Sequence, residues 1–125
     1  MRIVNPTARL GEDIATRYLT KKGYRIVERN FRKGYGEIDI IAIDSSNKPN
    51  VLVFVEVKTR TNSQFGTPFE AITSWKLRTL VKTSQYYKLI NSKLPDSMRI
   101  DAISVKLSSN EEVENIEHIE NISGF

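Results

Sequence analysis

GEIDIIAID, residues 36–44, and VLVFVEVKTR, residues 51–60, are two apolar stretches separated by the polar stretch SSNKPN, and within them 37–43 and 51–59 read as strands. β-Branched and aromatic side chains dominate both, as a pleated and largely buried surface requires. Set into them are three ionisable residues, Asp39, Glu56 and Lys58. Drawing such charges out of water is costly unless a partner compensates them. Two acids and a lysine inside strand cores therefore need a reason.

Strand alternation sharpens the pattern. Val51, Val53, Val55 and Val57 share one face, while Leu52, Phe54, Glu56, Lys58 and Arg60 share the other. Both faces are apolar over the first half, which marks a central strand covered on both sides. The second face then turns charged at its carboxyl end, where open α/β sheets commonly bind ligands. In the preceding strand the same rule groups Glu37, Asp39 and Ile41 against Ile38, Ile40 and Ala42. If the 44–50 loop makes the two strands neighbours, Asp39 and Glu56 come side by side and can share one cation, which resolves their repulsion. A Glu and a Lys two apart on a strand also make an ordinary same-face ion pair. What lifts this instance is its apolar setting and the second acid 17 residues upstream of Glu56.

Outward from this pair, Asn5-Pro6 opens a helix with an asparagine cap and a proline in its first turn. Leu10, Ile14 and Tyr18, with Gly11, Ala15 and Leu19, form its apolar face, and Gly23 is a C-terminal stop. Residues 24–31 read as a strand and 32–36 as a turn. Residues 61–68 form an irregular connection to a helix predicted over 69–90. Further strands are expected at 98–107 and, at an edge, within 112–122. The order α-β-β-β-α-β-(β) gives an α/β fold with a mixed central sheet and flanking helices.

With 125 residues the chain fits one domain. It has no cysteine and one histidine, which excludes thiolate and histidine-rich metal sites. Any metal is a hard, oxygen-ligated ion, Mg2+ by default or Mn2+. No apolar run spans a bilayer and the amino terminus lacks a secretory core, so the expected location is cytoplasmic, without membrane contact. Residues 1–107 carry 19 basic against 10 acidic groups, a formal +9, and residues 108–125 hold five glutamates and no base. We read 1–107 as the functional domain and 108–125 as an acidic extension that supplies the edge strand. A body so basic suits a polyanion such as nucleic acid, and equally a surface kept charged for solubility.

The constellation Asp39 … Glu56-Val57-Lys58 resembles the PD-(D/E)xK nuclease superfamily, with Ile38 where the superfamily's name has proline. The wider pattern is more specific. Gly11-Glu12-Asp13, Gly36-Glu37-Ile38-Asp39, FVEVKTR at 54–60, Phe65-Gly66-Thr67-Pro68 and Glu70-Ala71 resemble the YraN-type family of uncharacterised bacterial endonuclease-like proteins, which is similar to archaeal Holliday junction resolvases. The resemblance implies a restriction-endonuclease-like three-layer sandwich. It also implies a metal-dependent, structure-selective DNA endonuclease acting on branched or repair and recombination DNA.

On that resemblance Asp39 and Glu56 are the metal ligands, with the Val57 carbonyl a candidate third. Lys58 orients the attacking water or stabilises the phosphate by charge. Glu12 joins the metal site, against the alternatives of a first-turn glutamate favoured by the helix dipole or a solvated residue. Arg60, Lys76, Arg78 and Lys82 are candidate nucleic-acid contacts, against plain solvation, and Trp75 hints at base stacking, against a place in the core. Asp101 reads as structural and His118 receives no role. A homodimer is a further hypothesis, since a four-way junction offers two equivalent strands. Two other readings stay open: a catalytically inactive nucleic-acid-binding module of the same fold, and a protein-interaction subunit.

Overall fold

The computed structural model describes residues 5–61 and 72–123. Helix α1 (Pro6–Lys21) starts at Asn5, whose Oδ1 accepts from the Thr7 and Ala8 amides at 2.8 and 3.4 Å. It stops at Gly23, which takes φ +95°, a conformation that favours glycine. Then follow β1 (Arg25–Lys33), β2 (Gly36–Asp44), β3 (Val51–Arg60), helix α2 (Ser74–Ile90), β4 (Ser97–Leu107) and β5 (Val113–Ile119). No helix among the described residues is long and apolar enough to cross a membrane.

The strands form one sheet in the order β1-β2-β3-β4-β5. Every neighbouring pair is antiparallel except β3–β4, which is parallel. A parallel pair needs a crossover, and α2 lies within it. Ile14, Ala15 and Leu19 of α1 cover one face, against Ile40, Ala42, Val53, Val55 and Ile103. Leu80 and Tyr87 of α2 cover the other, against Ile38, Ile41, Leu52, Phe54 and Ile100. The result is the expected three-layer α/β sandwich with a mixed central sheet, and β5 completes its edge.

Two expectations need correction. The second helix begins at Ser74 rather than 69, because Thr73 is its cap and its hydroxyl accepts the Lys76 amide at 3.1 Å. Residues 62–71, which hold the Phe65-Gly66-Thr67-Pro68 and Glu70-Ala71 motifs, lie outside the described residues. The faces of β2 also differ from simple alternation. Ile38 packs with Ile41 and Ile43, not with Ile40 and Ala42. Across the ladder, between the Arg29↔Ile40 and Phe31↔Ile38 pairs, Asn30 of β1 takes φ +57°. Asparagine tolerates this left-handed backbone, and β1 changes faces at the same point. Accordingly Arg29 reaches Asp13 of α1 at 2.9 Å, while Phe31 meets the Tyr87 ring of α2.

At the other end of the sheet a buried charge is fully partnered. Asp101 is inaccessible to solvent and accepts from Arg99 Nε and Nη2 at 2.8 and 3.0 Å, and from the Asn121 amide at 2.9 Å. His118 Nε2 lies 2.8 Å from Asp101 Oδ2, and His118 Nδ1 lies 3.2 Å from Lys22 Nζ. An imidazole protonated on Nε2 satisfies both neighbours, because the carboxylate only accepts and the ammonium only donates. Burial alone would raise the Asp101 pKa, but the bonds from His118, Arg99 and the Asn121 amide bring it below the usual carboxylate range.

This network ties β5 to β4 and α1, and it carries a pH signature. A carboxyl more acidic folded than unfolded contributes fully above its unfolded pKa of about 3.9, and its contribution disappears as pH falls through the folded value. Asp101→Ala should lower the unfolding free energy by about 2–4 kcal/mol, since Arg99 Nε, His118 and the Asn121 amide lose their buried acceptor while Arg99 keeps Asp44 and Glu120. Asp101→Asn should flatten the acid limb of stability below about pH 4. Urea unfolding across pH checks both.

Candidate active site

The β2–β3 ladder runs from Asp44↔Val51 to Ile40↔Val55 and stops there. One step further the register sets Asp39 opposite Glu56, on the same side of the sheet. Past the last rung the Val57 amide donates to Asp39 Oδ2 at 2.7 Å. A side chain thus takes the place of a backbone partner, and the two strands part into a fork.

Glu56 is almost wholly buried in that fork. Two amines converge on its Oε2, Lys58 Nζ at 3.7 Å and Lys76 Nζ at 3.3 Å. Lys76 arrives from the first turn of α2, and α1 approaches from the opposite face. Gly11 makes that approach close: a Cβ added there would lie 2.8 Å from both Cβ and Cγ2 of Thr59, closer than packed carbons come. With the helix pressed onto β3, Glu12 enters the same cleft while lying 3.7 Å from Arg29 Nη2. The cleft, about 350 Å³ and open to solvent, is lined by Asn5, Thr7, Ala8, Glu12, Glu37, Asp39, Glu56, Val57, Lys58, Thr59 and Lys76. The amino-terminal turns of both helices therefore face it, and these are the positive ends of their dipoles. A larger hollow, about 700 Å³, lies at residues 25, 43, 48–50 and 93–97. Its charged groups, Arg25, Lys48, Lys93 and Asp96, are all exposed, and it holds no buried acid.

Burial pushes the Asp39 carboxyl well above the usual range, and the neighbouring Glu56 carboxylate pushes the same way, with a smaller push from Glu12. The Val57 amide pulls in the opposite direction and does not prevail. Asp39 and Glu56 are within hydrogen-bonding reach of one another. Two acids held this close in a poor solvent favour either a shared proton or a cation. The donor set is all oxygen, which fits a hard divalent ion. Mg2+ is commonly held by one or two carboxylates, with water and substrate phosphate completing its shell. Among the described residues no three His, Cys, Asp or Glu side chains are placed to hold one metal ion together.

The structure thus brings Glu12, Asp39, Glu56, Val57, Lys58 and Lys76 together. Lys76 differs from its expected place on an outer helix face, since it turns inward to Glu56. Arg78 and Lys82 stand exposed on α2 outside the cleft lining. Arg60 is half-buried at the end of β3, paired in the ladder with Lys106. Glu12 is not a first-turn glutamate, because the first turn of α1 contains no acid. Trp75 is exposed rather than in the core. Sequence reasoning missed the inward turn of Lys76 and the Gly11–Thr59 contact. A small residue on an otherwise apolar helix face was the available signal for the second.

The model of the uncharacterised protein family UPF0102 matches residues 11–105, a span that contains every cleft residue from Glu12 to Lys76. The chain belongs to that family. A UPF0102 protein of Alkaliphilus oremlandii is 46% identical over 114 residues, covering 90% of this chain and 92% of its own. UPF0102 relatives from Caldanaerobacter subterraneus and Persephonella marina are 43% and 42% identical, covering 90% and 89% of this chain and 89% and 87% of theirs. A solved structure, that of Pyrococcus furiosus SfsA in complex with Ca2+, aligns over 88% of this chain and 60% of that one, at 18% identity and a TM-score of 0.37. A likeness that weak transfers neither fold nor function.

Asp39 opposes folding while it is ionised, and that burden is relieved as pH falls through its raised folded pKa. In chelator at neutral pH, Asp39→Asn should therefore stabilise the protein by on the order of 1 kcal/mol, a gain that vanishes below about pH 4. Gly11→Ala should destabilise it by about 1–3 kcal/mol, despite alanine's better helix propensity, because the methyl meets Thr59. Thermal denaturation of both variants checks these directions.

Proposed function

We propose that this UPF0102 protein is a metal-dependent DNA endonuclease that hydrolyses phosphodiester bonds in branched or repair and recombination DNA, in the cytoplasm. The observation that supports it best is the pairing of Asp39 with Glu56 in the β2–β3 fork, with two lysine amines beside them. Structural ion pairs ordinarily match opposite charges, whereas here two acids are pressed together against their repulsion. Such perturbed, partly open carboxylates are characteristic of functional sites.

On this reading Asp39, Glu56 and the Val57 carbonyl hold Mg2+ or Mn2+. When bound, the ion supplies Lewis-acid polarisation of the scissile phosphate and a more acidic water. The chain's own groups do the rest. Lys58 and Lys76 present ammonium charge to the phosphate oxygens, where negative charge grows as the phosphorus becomes five-coordinate. The first turns of α1 and α2 add their positive ends on either side of the cleft. Glu12 keeps the helix side of the cleft acidic and extends the oxygen surface offered to the ion. The basic body of residues 1–107 draws the polyanion in.

A panel of duplex, single-stranded, flap, four-way-junction and RNA substrates tests the proposal, with Mn2+ or Mg2+ and with chelator. Metal-dependent cleavage of branched DNA is expected. Asp39→Asn or Glu56→Gln should lower it by more than about a hundredfold, and Lys58→Ala by about a hundredfold. DNA affinity in chelator should stay near the wild-type value. Full turnover in the Asp39→Asn, Glu56→Gln double variant would remove this site from the reaction. Absence of cleavage, together with absence of Mn2+ binding by calorimetry, would leave a nucleic-acid-binding module.

A further inference from the structure

Two aromatic side chains stand in solvent on segments that also supply residues to the cleft, and neither contributes to the core. Tyr35, at the tip of the β1–β2 hairpin, is 95% exposed, and Trp75, in the first turn of α2, is 59% exposed. Each adjoins a residue that lines the cleft: Tyr35 lies two positions before Glu37, and Trp75 immediately precedes Lys76. The hairpin tip is seated on the same helix, because a Cβ at Gly36 would lie 3.0 Å from Thr83 Cβ. At 100° per residue, Trp75, Lys82 and Tyr86 fall within an arc of about 40° on α2. Lys33 Nζ sits 4.9 Å from the centre of the Tyr86 ring, so cation and ring alternate along this flank.

The charge around these rings is one-sided. Helix α2 has no acidic residue in its 17 positions, and residues 29–36 have none either. Arg32, Lys33, Lys76, Arg78 and Lys82 lie on these two segments, and Glu37, the next residue after the second of them, lies 3.9 Å from Arg32. Exposed aromatics on a predominantly cationic flank suit a polyanion with flat faces. In a continuous duplex those faces are hidden in the base stack, and only base edges, sugars and phosphates meet the protein. Unpaired bases offer them freely.

We propose that Tyr35 and Trp75 stack unpaired bases of single-stranded DNA, so that the flank holds the single-stranded arm of a branch while the backbone beside it enters the fork. This deepens the endonuclease reading and rests on it for the role of the fork. It makes the preference for branched DNA a property of two side chains outside the cleft.

Trp75 is the only tryptophan of the chain, so its fluorescence reports on the flank directly. The experiment titrates the full-length protein, in chelator and at low salt, with a short oligothymidylate and with a duplex of equal length. Binding is followed in parallel by the anisotropy of a label on the DNA. The single strand should quench Trp75 strongly and the duplex should bind with little quenching. Tyr35→Ala should weaken single-strand binding about tenfold and change duplex binding by less than about twofold. Because Tyr35 is almost wholly in solvent, that variant should keep the wild-type melting temperature. Single-strand binding without quenching, or an equal loss on both DNAs, would overturn the inference while metal-dependent cleavage still upheld the endonuclease. Quenching and selectivity without cleavage of any substrate would support the flank and overturn the endonuclease. Indifference to both DNAs at low salt would overturn both.

Discussion

The site depends on a carboxylate accepting a backbone amide where two strands separate. Val57 lies past the last rung of the β2–β3 ladder, and its N–H goes to Asp39. That bond places Asp39 beside Glu56 and leaves an opening between the strands. A buried acid with one amide donor and a like-charged neighbour is not there for stability. Functional sites commonly retain such local conflict and are stabilised elsewhere.

The elsewhere can be named. Asn30 adopts a left-handed backbone opposite Asp39, at the point where both strands change faces, and Ile38 packs in the α2 core. Gly11 and Gly36 let α1 and the hairpin meet Thr59 and Thr83 without a Cβ between them. Both helices are thereby drawn close to the sheet near the fork, and Glu12 and Lys76 arrive at the cleft as a consequence. At the opposite pole, the Arg99–Asp101–His118 network locks β5 to the sheet with a buried charge that is completely satisfied.

Asp39 and Asp101 show how far the sequence could be read. Both are single acids inside apolar strands, IDI at 38–40 and IDA at 100–102. The rule that such an acid needs a reason holds for each, yet the reasons are opposite. Asp101 is surrounded by donors and its carboxyl becomes more acidic, whereas Asp39 faces another acid and becomes less so. Local sequence cannot separate the two, because the partners come from Arg99, His118 and Asn121 in one case and from Glu56 and Glu12 in the other. The strands, their order and the meeting of Asp39 with Glu56 were legible, since alternation and a short hairpin loop determine them. The faces of β2 were not, because Ile38 and Ile40 pack on opposite sides of the sheet where alternation puts them together. The inward turn of Lys76 was not legible either, because it depends on where Thr73 starts the helix.

The direct measure of this account is the ionisation of the Asp39 carboxyl, followed by carboxyl-carbon NMR during a pH titration with and without Mg2+. If the fork holds two repelling acids that a cation reconciles, Asp39 titrates well above the ordinary value of about 3.9 in chelator and moves down when the ion is added. An ordinary carboxyl that ignores the ion would contradict the account.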